Sequence, residues 1–290
     1  MKKRWWVLGA SAGVAAVLLW GAGMPVRADD SGLGVYKAAM KQTKEEASLT
    51  AHAKVDVTDN GKQLYVLSAE AKVDHDKGEA SVSGTVEDVV RAASQSFQVF
   101  REDGKVVVKR GDSDLYRVIE QKGWNPGPFA HRTEPPVIVE HVKNIALGDI
   151  REQAKVEALP DGGKQVKLEL SGQQLPLFAD RAAGMFFSKL AEHSQAAATD
   201  QGFSLKLPVL KENIHVEKLA LQADIDGSNH IRHQTAQLHV AGQDEGGQQH
   251  ELVVKLDVEL SDFSRTEVAH LDLTGKQVER TDGWQRPSWK

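Results

Sequence analysis

From Leu49 onward, most of the chain alternates apolar and polar positions with a period of two. Leu49, Ala51, Ala53, Val55 and Val57 alternate with polar residues, the pattern of a half-buried strand. Asn60-Gly61 follows, the favoured two-residue hairpin turn. The alternation resumes in QLYVLSAEAKVD and EASVSGTVEDVV, then in the shorter SFQVF, VVVKR and LYRVI, separated by REDGK and GDSD. This predicts an antiparallel meander with one apolar face. REQAKVEAL and KQVKLELSG form a further hairpin through PDGG. NIHVEKLALQADID, HIRHQTAQLHVAG and HELVVKLDVELSDF are long, alternating and evenly spaced, and give the strongest strand signal in the chain.

Three stretches carry a helical period instead. In SGLGVYKAAMKQTKEEASL, Val35, Ala38, Ala39 and Met40 fall near one face. VIVEHVKNIA has Thr133 as a cap and Pro135 and Pro136 in its first turn. The third, LPLFADRAAGMFFSKLAEH from Leu175 to His193, holds three of the eight phenylalanines. At about 100° per residue, Phe178, Ala179, Ala182, Ala183, Met185, Phe186 and Leu190 fill one broad arc. Phe187 widens that arc to roughly 200°, about twice what a surface helix needs. Asp180, Arg181, Ser188 and Glu192 make the polar side. Two readings follow: a core helix closing the sheet, or a wall of an apolar cavity. The second makes Phe178, Ala182, Met185, Phe186, Phe187 and Leu190 the ligand-lining candidates.

About ten strands and three helices, in the order α, meander, α, ββ, α, βββ, predict a single-sheet α+β fold. The expected architecture is one strongly curved antiparallel sheet with about three helices on its concave side. Residues 29–278 form the expected domain and 279–290 a polar tail. No linker divides the domain; QKGWNPGPFAHRTEPP reads as a long loop, and a seam between lobes would fall at Gly123–Pro128.

The N-terminus sets the compartment. Lys2, Lys3 and Arg4 precede an uncharged run from Trp5 to Met24, and Val26 and Ala28 offer an A-x-A-like pair before Asp29. This is a signal-peptide pattern over residues 1–28. The run is also long enough to span a bilayer, so an uncleaved leader would serve as an anchor. The expected location is secreted or extracytoplasmic, with membrane attachment only through the leader. Cleavage would remove Lys2, Lys3, Arg4 and Arg27 and take the formal charge from -5 to -9. An exported domain this acidic, with no basic block left, is not expected to bind nucleic acid. The chain has no cysteine. Disulfides, thiol catalysis, cysteine metal sites and a lipid-modified cysteine are therefore excluded.

Little else points to chemistry. There is no G-x-S-x-G and no H-E-x-x-H, so no enzyme, cofactor or metal site is expected. His230 and His233 are three apart on a strand and should point to opposite faces. His215, His239 and His250 lie on successive strands and could meet across the sheet.

The C-terminal third, from VEKLALQADIDGSNH to VVKLDVELSDFSRTEVAHLDL, has a distinctive layout that ends on SDFSRT and a short apolar strand. It resembles the ending of the LolA/LolB/LppX-like proteins of bacterial envelopes, especially the secreted Gram-positive type. The exported leader, the YKAAMKQTKEEASLTAHAKVDV helix and the meander agree with it. The resemblance implies a half-open antiparallel barrel with helices plugging its concave side, and relatives that carry lipid or lipoprotein acyl chains. Two functions are thus expected: a non-enzymatic binding protein for a lipid or acyl chain, or a regulatory module of the same fold with a filled core and an envelope protein partner.

Overall fold

The computed structural model describes residues 31–111, 113–120, 153–175, 179–181, 183–184 and 207–282. The first helix, α1 (Gly32–Glu45), is capped by Ser31, whose Oγ accepts the Gly34 N–H. The meander follows as β1 (Ser48–Asp59), β2 (Lys62–Asp74), β3 (Glu79–Asp88), β4 (Ala93–Glu102), β5 (Lys105–Arg110) and β6 (Leu115–Glu120). The second half contains β7 (Lys155–Ala158), β8 (Lys164–Ser171), β9 (Glu212–Ile225), β10 (Ile231–Gln243), β11 (Gln249–Ser261) and β12 (Gln277–Asp282).

The twelve described strands belong to one open sheet, in the order β12-β6-β5-β4-β3-β2-β1-β11-β10-β9-β8-β7. Two meanders are joined side by side by the antiparallel pair β1–β11. The hairpin turns form where the sequence places them. Asn60 and Gly61 both have positive φ, 49° and 75°, as a two-residue turn closing Asp59 against Lys62 requires.

Two departures from expectation stand out. A twelfth strand, β12, pairs with β6 and makes the one parallel contact among the described strands. It takes Glu279–Asp282, expected in the polar tail, into the sheet. The described helices are also fewer than the three expected: α1, and a helical start at residues 179–181 and 183–184. The leader, the segment around Gly123–Pro128 and the helix expected after Thr133 lie outside the described residues. Among the described residues no helix is long and apolar enough to cross a membrane.

Register decides what each face carries, because a slip of one residue would turn every side chain over. One row of paired positions runs Val166–Ala223–Gln234–Val258–Ala53–Ala69–Gly84–Phe97 from β8 to β4. The next runs Leu168–Leu221–Ala236–Leu256–Val55–Leu67–Val86. These rows build the apolar face, and α1 sets Leu33, Tyr36, Ala39 and Met40 on its β7–β10 half.

The expected SDFSRT step is a lock at the sheet end. Asp262 and Ser264 take positive φ, 51° and 55°. Phe263 stacks on the His230 ring at 4.7 Å, with the Arg232 guanidinium 5.2 Å from its centre. Ser264 Oγ donates to Glu46 Oε2 at 2.6 Å, and Thr266 N–H donates to Ser48 Oγ at 3.0 Å. From there residues 266–276 cross the opposite, polar face without regular structure. Leu271 and Leu273 pack on Phe100, Val107, Tyr116 and Val118 before the chain joins β6 as β12. The short apolar stretch expected after SDFSRT is therefore a crossing strap, not a strand.

Candidate functional site

The apolar face is the first candidate. On β9–β11, Ala183 packs with Leu210, Val216, Val240 and Leu252, and Ala179 lies against the same cluster. Both alanines belong to the apolar arc of the Leu175–His193 stretch and are its described members. Asp180 and Arg181 are exposed, as expected of the polar side. Asp180 Oδ1 accepts the Val216 N–H at 2.7 Å. Pairing of β8 with β9 ends at Ser171 and Lys218, so this carboxylate takes up a backbone donor that β8 no longer reaches. The six ligand-lining candidates, Phe178, Ala182, Met185, Phe186, Phe187 and Leu190, lie outside the described residues.

Over β1–β4 the same face continues with smaller or half-buried groups. Ala53 and Ala69 are buried, while Val55, Leu67, Val82 and Val99 are half-buried. Gly84 brings the strands close: a Cβ there would stand 2.5 Å from Ser68 O and 2.8 Å from the Phe97 ring. The Phe97 ring thus lies over the glycine and fills the space a side chain would take.

The opposite face carries the second candidate, a hollow of about 570 Å³ over β11 and β1–β5. Two register rows floor it. The first runs Glu259–His52–Glu70–Ser83–Gln98–Lys109. The second runs Asp257–Lys54–Ser68–Thr85–Ser96. Charges gather at the two ends and hydroxyls in the middle. His52 approaches Glu70 at 3.7 Å, Lys54 approaches Asp56 at 3.4 Å and His233 approaches Asp257 at 3.2 Å. Sequence reasoning missed this hollow, since its residues look like the ordinary solvated side of six strands.

Among the described residues, His52, His215, His230, His233, His239, His250 and His270 each approach a carboxylate. His215, His239 and His250 do not converge. His215 bonds the carbonyl of Asn213, and His239 faces Gln237 and Glu251. His250 is buried between Asp59 (2.8 Å) and Asp244 (3.5 Å), where it ties the β1–β2 and β10–β11 turns together. His230 lies just outside β10 on Glu46, at 2.7 Å, and His233 lies on the polar face. Glu79, Glu102 and His270 gather, as do Glu217, His239 and Glu251, with donor atoms within 4.8 Å of one another. In the first group His270 Nδ1 lies 2.8 Å from Glu102 Oε1, and in the second His239 Nδ1 lies 3.6 Å from Glu251 Oε1. The carboxylate of Glu102, 2.8 Å from His270 Nδ1, raises the His270 pKa above the usual imidazole value.

No family model matches the chain, and no curated protein matches it. Among solved structures it is similar to the LolA superfamily protein NE2245 from Nitrosomonas europaea. That likeness has 8% identity and a TM-score of 0.23, covering 85% of this chain and 97% of that one. It is also similar to the ywiB protein from Bacillus subtilis (11% identity, 76% and 95% covered, TM-score 0.17). A beta-barrel-like protein of a domain of unknown function from Brucella abortus gives 9% identity, 78% and 99% covered, and a TM-score of 0.18. A LolA superfamily protein is thus among the structures this chain is similar to, at a level that assigns it neither family nor function.

Proposed function

We propose that the chain is a LolA-like, extracytoplasmic, non-enzymatic binding protein that holds a lipid or other acyl chain against the apolar face of its sheet. The observation that carries this is the extent of that face. Apolar rows run unbroken from β8 to β3 but for Gln234. Among the described residues, α1 and the helical residues 179–181 and 183–184 cover them only over β7–β11. Val55, Leu67, Val82 and Val99 remain half-buried on the other half. A hydrocarbon chain laid there gains about 0.8 kcal/mol per buried methylene and needs no fixed polar partner, so binding tolerates different chain lengths. Phe178, Ala182, Met185, Phe186, Phe187 and Leu190 supply the facing wall in this reading, and movement of their helix gives access.

The test is to purify the protein lacking residues 1–28, extract it with organic solvent and analyse the extract by mass spectrometry. The stripped protein is then titrated with a fluorescent fatty acid. Bound acyl lipid, or saturable uptake that Leu67→Gln and Val82→Gln weaken, supports the reading. An empty extract together with no uptake by folded protein overturns it.

A further inference from the structure

We propose that the polar hollow is a binding site for a short oligopeptide with free termini, lying across the strands of β11 and β1–β5. It occupies the face opposite the proposed lipid site and stands independently of it. Its first floor row begins on Glu259 and ends on Lys109, with His52, Glu70, Ser83 and Gln98 between. Among the described residues, Glu259 has no charged partner, and Lys109 meets only the Tyr116 ring, 5.8 Å from its Nζ. All six side chains line the hollow. A carboxylate and an ammonium thus stand uncompensated at the two ends of one line, with the His52–Glu70 pair, a hydroxyl and an amide between. That is the complement of a zwitterion whose middle is rich in hydrogen-bonding groups, which is what a peptide backbone offers.

The length fits. Glu259 and Lys109 are separated by five inter-strand steps, about 24 Å at about 4.8 Å per step on a flat sheet. The reach of the two side chains toward one another shortens this to the span of about five or six extended residues at 3.3–3.6 Å each. The volume of about 570 Å³ is within the ordinary range of ligand pockets. The same face already holds a peptide segment of this kind. The strap passes from Thr266, whose Oγ1 lies 2.9 Å from Thr50 Oγ1 on β1, past Glu102 on β4 to Gln277 beside β6. Six inter-strand steps, about 29 Å, are crossed by eleven residues whose extended reach is about 36 Å. The strap crosses the strands and turns at Leu273–Lys276, held by side-chain hydrogen bonds and by the packing of Leu271 and Leu273 and not by a ladder, and the proposed peptide lies beside it across the same strands. No aromatic platform lines the hollow among the described residues except Phe97, whose row belongs to the other face, which favours a peptide over a sugar ring.

The test uses the protein lacking residues 1–28 and isothermal titration with hexaalanine, N-acetyl-hexaalanine, hexaalanine amide and maltohexaose. Free hexaalanine should bind. Acetylation and amidation should each weaken it about five- to tenfold, the loss of one charge-assisted contact at a partly exposed site. Glu259→Gln should weaken free hexaalanine but not the acetylated form further, and Lys109→Gln should do the same for the amide. Glu259 is exposed and Lys109 half-buried, and unchanged thermal melting checks that the variants fold. The proposal is overturned if hexaalanine does not bind, if blocked and free peptides bind alike, or if maltohexaose binds more tightly than the peptide.

Discussion

Two buried polar contacts dock α1 on the sheet: Thr43 Oγ1 accepts the Ile231 N–H at 2.9 Å, and Tyr36 pairs with Gln234; removing half of the second should cost more than removing both halves. Tyr36 Oη donates to Gln234 Oε1 at 2.9 Å. Tyr36 is 8% exposed and Gln234 6%, and the row neighbours of Gln234, Ala223 and Val258, are fully buried. Tyr36→Phe deletes one hydroxyl, creates little cavity and strands the glutamine oxygen among apolar groups. A buried acceptor left without its donor costs about 1–3 kcal/mol. For a chain of this size that lowers the melting temperature by about 2–10 °C. Replacing the glutamine as well, in Tyr36→Phe with Gln234→Met, removes the stranded group and should return most of that loss. The measurement is urea unfolding of wild type, both single variants and the double variant, with slopes unchanged and midpoints shifted. A second signature follows from burial, which pushes the Tyr36 phenol well above the usual tyrosine range. A raised folded pKa means stability present below about pH 10 and lost as pH rises beyond the unfolded value. That alkaline loss should be smaller in Tyr36→Phe. A single variant within about 0.3 kcal/mol of wild type, or a double variant as damaged as the sum of the singles, would refute the reasoning.

Three further outcomes are expected. The His270 pKa is raised chiefly by its hydrogen bond to Glu102, so its share of stability is present below about pH 6.5 and lost as pH rises through the raised value. The melting difference between wild type and His270→Gln should therefore be largest near pH 5.5 and vanish at alkaline pH. Asp74 shifts the other way. The Lys77 backbone N–H, 2.9 Å from Asp74 Oδ1, and then the Lys77 ammonium hold its carboxyl below the usual range. Its contribution is present above about pH 4 and lost as pH falls, so Asp74→Asn should flatten the acid limb of the stability curve. Gly84→Ala places a methyl 2.5 Å from the Ser68 carbonyl oxygen, which a backbone shift must relieve at about 1–3 kcal/mol. Thermal melting should fall accordingly, and an unchanged melt would show that the strands yield freely there.

Much of the sheet was legible because its turns and its alternation are local. Asn60-Gly61 fixes a hairpin by itself, and Leu252, Leu256 and Val258 announce a buried face without any partner. The neighbour of each meander edge is not local. The pairing of β1 with β11 joins residues about two hundred positions apart, and nothing in either strand names the other. β12 escaped for a different reason. QVERTD contains one apolar residue, Val278, because an edge strand with one face to solvent needs little apolar surface to be held by a ladder. The strap before it also hid its purpose. Leu271 and Leu273 look like strand residues, yet they are spaced to reach the apolar end of the opposite face.

The functional surface was less legible than the fold because it is a property of register, not of composition. In sequence, His52, Glu70, Ser83, Gln98, Lys109 and Glu259 are unremarkable polar positions on six different strands. Only five consecutive pairings bring them into line. The pairings are in turn fixed by the opposite face, since slipping one strand by one residue would bury its charges and expose its valines. The apolar rows therefore specify more than a core. They hold the ends of the polar row, Glu259 and Lys109, at a constant separation on a sheet whose hydrogen bonds resist shear. A carboxylate and an ammonium kept apart in this way cannot neutralise one another by rotamer changes. They offer their charge to a ligand of matching length, which is why the length of the probe peptide, as well as its end groups, should govern affinity at this face.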